Sequence, residues 1–244
     1  MKFIQPEIFK KYSEIIFGFS TKIGLNRGAP FYFNMSFSTG DDEKIVAENR
    51  EAFFNALGLS GDKIAVQKQI HSDIVKYVTC GGMNGESDAM ITNRSNLGLA
   101  ISTADCTPVF IYDPENEVIA AVHSGWRGTV KKILLKTLQR LVDDFDSNPG
   151  KLITYIGPSI SRKNYEVGNE VADLFDEKYK TKKADKYLLD VSGANYDMLI
   201  NFGLQKNNIE TSSLCTYEEK ELLHSYRRDG IKSGRSMGII ALRD

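Results

Sequence analysis

Cys106 and His123 are the first two side chains whose types and spacing could do chemistry together. They flank two short apolar runs, Pro108 to Tyr112 and Val118 to Val122. Between the runs lies Asp113-Pro114-Glu115-Asn116, which is turn chemistry: Pro presets one backbone angle, and Asp and Asn bond their own main chain. With those four residues as the loop, Tyr112 faces Glu117, Val109 faces Ala120 and Cys106 faces His123. Directly opposed residues in an antiparallel pair have Cβ atoms about 5 Å apart. A thiol and an imidazole at that separation can share one proton or one metal ion.

Two chemistries follow. In the first, Cys106 is a nucleophile and His123 the base that holds its thiolate. In the second, both are ligands of a metal, and a third ligand is needed. His71 is the natural candidate, because the chain has only three histidines and this one interrupts a strand pair beside Asp73. A set of two histidines and one cysteine leaves the fourth tetrahedral position open, as catalytic zinc sites do. Water bound there would have its pKa lowered to about 7. A structural zinc site would instead show closely spaced Cys or His pairs. Asp105 could orient a ligand, accept a proton or cap its own turn. Cys80 and Cys215 have no special neighbour and read as small apolar residues. His224 reads as structural.

Other residues could hold a substrate. Trp126, the only tryptophan, sits between Gly125 and Arg127 and reads equally as a stacking platform or as core filling. Arg127 and the free N–H groups of the helix expected after Gly128 could hold an anion, and the glycines there also permit a tight strand-to-helix turn. Arg50 falls near the apolar side of its helix, as a packed edge residue or as a buried anion ligand.

The elements that must position these residues alternate between strands and helices. Strands are expected at Ile15 to Ser20, Ile64 to Ile70, Ile74 to Val78, Asp88 to Thr92, Leu99 to Ser102, Leu152 to Ile156, Tyr165 to Val167, Lys186 to Asp190 and Met237 to Leu242. Helices are expected from an Asp41 or Asp42 cap to Leu57, from Gly128 through Val142, around Val171 to Phe175, and from a Ser192 cap to Phe202. Residues 21–37, 79–87 and the Lys-rich stretch from Lys178 to Lys186 read as loops. The fold class is α/β or α+β, one domain over residues 1–244, with mixed sheet layers and flanking helices.

Composition narrows the function. A net charge of −1 over 244 residues offers no general nucleic-acid surface. No apolar run approaches the roughly 20 residues that span a bilayer. The start, Met-Lys-Phe-Ile-Gln-Pro-Glu, has no secretory pattern, so the expected location is the cytoplasm. Three widely spaced cysteines argue for reduced thiols rather than a disulfide framework.

An ordered series of motifs resembles the multicopper polyphenol oxidase or laccase-domain family, also called peptidoglycan editing factors. The pieces are Gly18-Phe-Ser-Thr, Phe33-Asn-Met-Ser, Gly40-Asp-Asp, Glu48-Asn-Arg, Gln69-Ile-His, Ser87-Asp-Ala, Thr103-Ala-Asp-Cys-Thr-Pro, Val122-His-Ser-Gly-Trp-Arg-Gly, Ile156-Gly-Pro-Ser-Ile, Tyr165-Glu-Val-Gly, Ser225-Tyr-Arg-Arg-Asp-Gly and Gly234-Arg. Each is weak alone, but they run in family order over nearly the whole chain. One departure is Lys22-Ile23-Gly24, where the family shows Arg followed by two glycines.

The resemblance implies a metal site of His71, Cys106 and His123 and a fold similar to that of some cysteine hydrolases. It implies a purine nucleoside phosphorylase acting on adenosine, inosine and methylthioadenosine, with adenosine deaminase activity; zinc is the expected cofactor. Copper-dependent polyphenol oxidation and editing of a cell-wall precursor by a Cys–His hydrolase are the alternatives the family brings. Phosphorolysis needs an anion site, for which Arg50, Arg127, Arg227 and Arg228 are available cations; Arg suits phosphate because its planar fork binds two oxygens. Multicopper electron transfer needs several ligand sets, mostly imidazoles, and three histidines cannot supply them. The expected partners are a small nucleoside and phosphate, not nucleic acid or membrane; the sequence does not give the oligomeric state.

Overall fold

Strands buried on both faces read as unbroken apolar runs, and this chain builds its centre from such runs. The computed structural model describes residues 1–243. One six-stranded sheet has the order Phe3–Ile4, Ile15–Ser20, Ser236–Leu242, Gly98–Thr103, Ile64–Lys68, Gly82–Glu86. A second has the order Ile209–Thr211, Ile153–Ile156, Thr107–Asp113, Val118–Ser124, Ala89–Thr92, Val75–Tyr77. Both mix parallel and antiparallel pairs. A small third sheet joins Glu166–Val167, Lys186–Leu189 and Lys180–Lys183.

Alternation along the strands stacks these elements into layers. Phe17, Phe19, Leu99, Ile101 and Ile240 of the first sheet share a core with Phe110, Tyr112, Ile119, Ala121 and Tyr155 of the second. The intervening residues Val109, Ile111, Ala120 and Val122 point the other way. They pack with Leu134, Leu138 and Leu141 of the helix Ile133–Phe145 and with Leu199 of the helix Val191–Phe202. The outer face of the first sheet, through Ile64, Ala100, Ile239 and Ala241, meets Phe53, Phe54 and Leu57 at the helix Glu43–Ala56. The result is helix, sheet, sheet, helix, the mixed α/β class expected from the sequence.

Local chemistry sets the element ends. Asp42 caps the first long helix, its carboxylate accepting from the Lys44 and Ile45 N–H groups at 2.8 and 3.2 Å. Gly58, at φ +71°, stops it. Asp190, rather than Ser192, caps the helix Val191–Phe202 by accepting from Gly193 N–H.

Four further expectations change. The hairpin register differs by two residues: Val109 faces Val122, Tyr112 faces Ile119 and Asp113 faces Val118. The loop is therefore 114–117, one residue later at each end. Asp113 stays in its strand while its carboxylate accepts from Glu115 N–H and Asn116 N–H, and Glu117 takes a left-handed φ of +51°. The helix after Gly125 is broken: Trp126–Val130 and Ile133–Phe145 are separated by Lys132 at φ +62°. The Lys-rich stretch is a hairpin, Lys180–Lys183 against Lys186–Leu189, whose charge is offset by Glu166, Glu177 and Asp173. Within 79–87, Gly82–Glu86 forms an edge strand parallel to Ile64–Lys68.

Candidate metal centre

The strand Val118–Ser124 carries His123 one residue from its end, and Cys106 immediately precedes the strand Thr107–Asp113. Continued one pair beyond Thr107 and Ser124, the register puts Cys106 opposite Gly125 and diagonal to His123. A two-residue slip keeps every side chain on its face, so the pair still meets. His71 enters from the turn between the strands Ile64–Lys68 and Val75–Tyr77. One ligand atom from each of His71, Cys106 and His123 lies within 4.8 Å of the other two. Cys106 Sγ is 3.9 Å from His71 Nε2, and the two imidazole rings are 5.0 Å apart at 73°.

Gly125 makes this approach feasible. A Cβ there would sit 2.8 Å from Cys106 Sγ and 3.2 Å from His71 Cδ2. The glycine is required for close approach, since its φ of −70° suits any residue.

Asp88, which the sequence reading missed, ties the two histidines together. It is fully buried. Its Oδ1 lies 2.9 Å from His123 Nδ1 and accepts from the His71 main-chain N–H at 3.1 Å. Its Oδ2 accepts from the N–H groups of Ile70 and Ser72 and from the Ser72 hydroxyl. One carboxylate thus anchors the His123 ring and the backbone that holds His71 at a left-handed φ of +57°. Non-glycine residues rarely adopt such a φ without a surrounding constraint. Burial alone would raise the Asp88 carboxyl; the hydrogen bonds from His123 and Ser72 outweigh it and hold the pKa near 2.

Burial opposes charge at Cys106 and His123 as well, yet their mutual attraction wins. The His123 charge lowers the Cys106 thiol to about 6. Cys106 and Asp88 together raise the His123 imidazole to about 9. Without a metal, each charge therefore favours the other, Cys106 toward the thiolate and His123 toward the imidazolium. His224 lies apart from this group: it is buried, and burial lowers its imidazole to about 3. Cys80 and Cys215 are free thiols, Cys80 exposed and Cys215 buried.

Asp105 reaches well beyond its own turn. At φ +93°, its carboxylate accepts from the Thr216 hydroxyl at 2.6 Å and from Arg227 N–H at 2.7 Å, and its carbonyl from Ile160 N–H. Thr103 Oγ1 donates to Cys106 O at 2.6 Å. The loop bearing Cys106 is thus pinned to three distant segments.

The arginines divide. Arg228 is spent on structure, bonded to Asp229 and to the carbonyls of Thr216, Tyr217 and Leu223. Arg227 lies over the Tyr165 ring at 5.1 Å and donates to Glu166 O. Arg127 lies over Trp126 at 4.2 Å, while Trp126 packs at the edge of the core cluster of Val167, Val171 and Leu189. Arg235, read from the sequence only as part of the Gly234-Arg motif and given no site role, lies over Tyr226 at 5.3 Å. Arg50 donates to Met35 O and lies over Phe37 at 4.4 Å, and burial lowers it to about 10. No described contact joins Arg50 to the trio. Tyr165 was also missed. Burial raises its phenol to about 12, with the Cys106 and Asp105 charges adding and those of Arg227 and Arg127 opposing. Two clefts, of about 410 and 360 Å³, lie elsewhere, beside Arg162 and Asp190 and beside Lys22 and Tyr32.

The family model described as multi-copper polyphenol oxidoreductase laccase matches residues 16–243. The chain belongs to that family. Among curated relatives, a purine nucleoside phosphorylase of Bacteroides thetaiotaomicron is 31% identical over 255 residues, covering 97% of this chain and 94% of the relative. A purine nucleoside phosphorylase of Deinococcus radiodurans is 34% identical, covering 92% and 88%. The solved structure of a hypothetical protein YfiH from Bacillus licheniformis superposes with a TM-score of 0.92 at 30% identity, covering 96% of this chain and 95% of that one. The family resemblance read from the motifs and the mixed α/β fold are both borne out. No helix among the described residues is long and apolar enough to cross a membrane.

Proposed function

We propose that this protein is a zinc-dependent purine nucleoside phosphorylase acting on adenosine, inosine and methylthioadenosine, with adenosine deaminase activity, working in the cytoplasm as a single domain over residues 1–244. The observation that carries the reading is the convergence of His71, Cys106 and His123 within 4.8 Å. The names of the relatives supply the reaction class.

The donors fit a zinc ion: one sulfur and two imidazole nitrogens, with His123 turned by Asp88 at Nδ1 so that Nε2 is left for the metal. A zinc ion held there by His71, Cys106 and His123 would supply a Lewis acid. The chain's residues do the rest. Asp88 orients both histidines. Asp105 fixes the Cys106 loop against Thr216 and Arg227. Trp126, Arg127 over its ring and Arg50 are candidate substrate contacts. Copper fits less well as a multi-copper set, because the one histidine outside the trio is buried away from it.

A second reading has its own support: the thiolate–imidazolium pair suits Cys106 as the nucleophile of a Cys–His hydrolase acting on a cell-wall precursor. One experiment separates the two. Protein purified without added metal is analysed for zinc and copper and assayed for hypoxanthine release from inosine with and without phosphate. The phosphorylase reading expects about one zinc per chain, phosphate-dependent release, and loss of both in Cys106→Ser. Metal-free protein that is active and carries a covalent adduct on Cys106 would overturn it.

A further inference from the structure

Arginines normally find carboxylates, and in this protein Arg27, Arg140, Arg162 and Arg228 do. Arg127, Arg227 and Arg235 do not: among the described residues no carboxylate oxygen lies within 4.0 Å of their guanidinium groups. Each instead lies over an aromatic ring, of Trp126, Tyr165 and Tyr226 respectively. Stacking holds the plane of a guanidinium while leaving its N–H edge free.

The three converge on the Cys106 side of the molecule. Arg127 follows Gly125, the residue against Cys106 Sγ, by two positions. The Arg227 main chain is bonded to Asp105, next to Cys106, and its Nη1 reaches Glu166 O, next to Tyr165. Arg235 is half-buried, its Nη1 spent on the carbonyls of Ser233 and Gly234, with the remaining edge unpaired. Its stacking partner Tyr226 adjoins Arg227. The Tyr165 hydroxyl, amid these charges, has no hydrogen-bond partner among the described residues. Arg127 and Arg227 are exposed and Arg235 is half-buried near the Asp105 and Cys106 charges, so three guanidiniums without a carboxylate within ion-pair distance stand around one loop, where an anion supplied from outside could reach them.

We infer that Arg127, Arg227 and Arg235, with the Tyr165 hydroxyl, form a tetrahedral-oxyanion subsite beside Cys106 that takes inorganic phosphate as the attacking co-substrate. This rests on the phosphorylase reading. In that reaction a phosphate oxygen bonds to ribose C1′ as the C1′–N bond to the purine breaks. The bond's electron pair leaves on the purine nitrogen, which takes the proton carried by hydrogen phosphate. The products are ribose 1-phosphate and the free base, with no other reactant consumed.

The test uses the metal-loaded protein. Phosphate binding is measured directly by titration calorimetry, and KM for phosphate and for inosine are measured separately, in Arg235→Met, Arg227→Met and Arg127→Gln. Charge-assisted contacts of this kind contribute about tenfold to a hundredfold each. KM and Kd for phosphate should rise by that factor, with KM for inosine changed less than about twofold on the same scale. Arg127→Gln guards against misfolding, because its guanidinium makes no hydrogen bond or ion pair among the described residues. Arg140→Gln, whose partner Asp144 lies one turn along the same helix Ile133–Phe145, should leave phosphate binding unchanged. Unchanged phosphate affinity in all three variants, or an equal rise for inosine, overturns the subsite. Phosphate binding that depends on these arginines in a protein that does not turn over nucleosides keeps the subsite and removes the phosphorylase reading.

Discussion

Two regions around Cys106 are organised by opposite means. The histidine side is built inward. Asp88 is fully buried, each of its oxygens is bonded more than once, and it holds one ring and one strained backbone. The arginine side is built outward. Its guanidiniums rest on aromatic faces and keep donors unspent. Buried hydrogen-bonded networks give fixed geometry, as a metal demands. Stacked, partly exposed arginines give charge with some freedom, which suits a ligand that arrives and leaves.

This contrast can be broken from either side. The largest effect is expected at the trio: Cys106→Ser or His123→Ala should drop metal content and nucleoside turnover to background, seen by elemental analysis beside a base-release assay. Asp88→Asn comes next. It turns an amide N–H toward donors that need an acceptor and should weaken metal affinity about tenfold to a hundredfold in a chelator competition. The apo protein should also lose about 1–3 kcal/mol of stability. Retained affinity would show that Asp88 serves the turn alone. Gly125→Ala should cost about 1–3 kcal/mol through the clash with Cys106 Sγ, and metal binding should weaken with it.

Two pH effects are smaller. In metal-free protein burial is outweighed by Cys106 and Asp88, which raise His123 and favour its protonated form. Metal binding must displace that proton, so binding should weaken as pH falls and release a proton measurable by calorimetry in buffers of different ionisation enthalpy. Asp88 has a folded pKa near 2, below its ordinary 3.8. Its stabilisation is present above about pH 4 and lost as pH falls through 2. The stability gap between wild type and Asp88→Asn should therefore shrink by about 2 kcal/mol over that window.

The trio was legible in the sequence because histidine is scarce here and Cys106 and His123 flank one hairpin. Even with a register off by two residues the same two side chains come together, since a shift of two preserves the face. A shift of one would have lost them. Asp88 was not legible: its partner in space is His123, 35 positions away, and nothing local to Ser87-Asp88-Ala89 signals that contact. Arg235 and Tyr165 were missed for the same reason, their roles arising from packing between distant segments. The fold was legible where apolar runs were long, as in Ile15–Ser20 and Ser236–Leu242. It was obscure where pairing overrode composition: Lys180–Lys183 is strand only because Lys186–Leu189 lies beside it. Lys132 broke an otherwise continuous helical stripe by taking a left-handed turn.

The central claim is that His71, Cys106 and His123 hold one metal ion on which nucleoside chemistry depends. Its most direct test is the metal-to-chain ratio of wild type and Cys106→Ser, purified without added metal and matched to phosphate-dependent hypoxanthine release. The account predicts a ratio near one and turnover in the wild type, with both lost in the variant. A variant that keeps its metal, or a metal-free wild type that releases base at full rate, would contradict it.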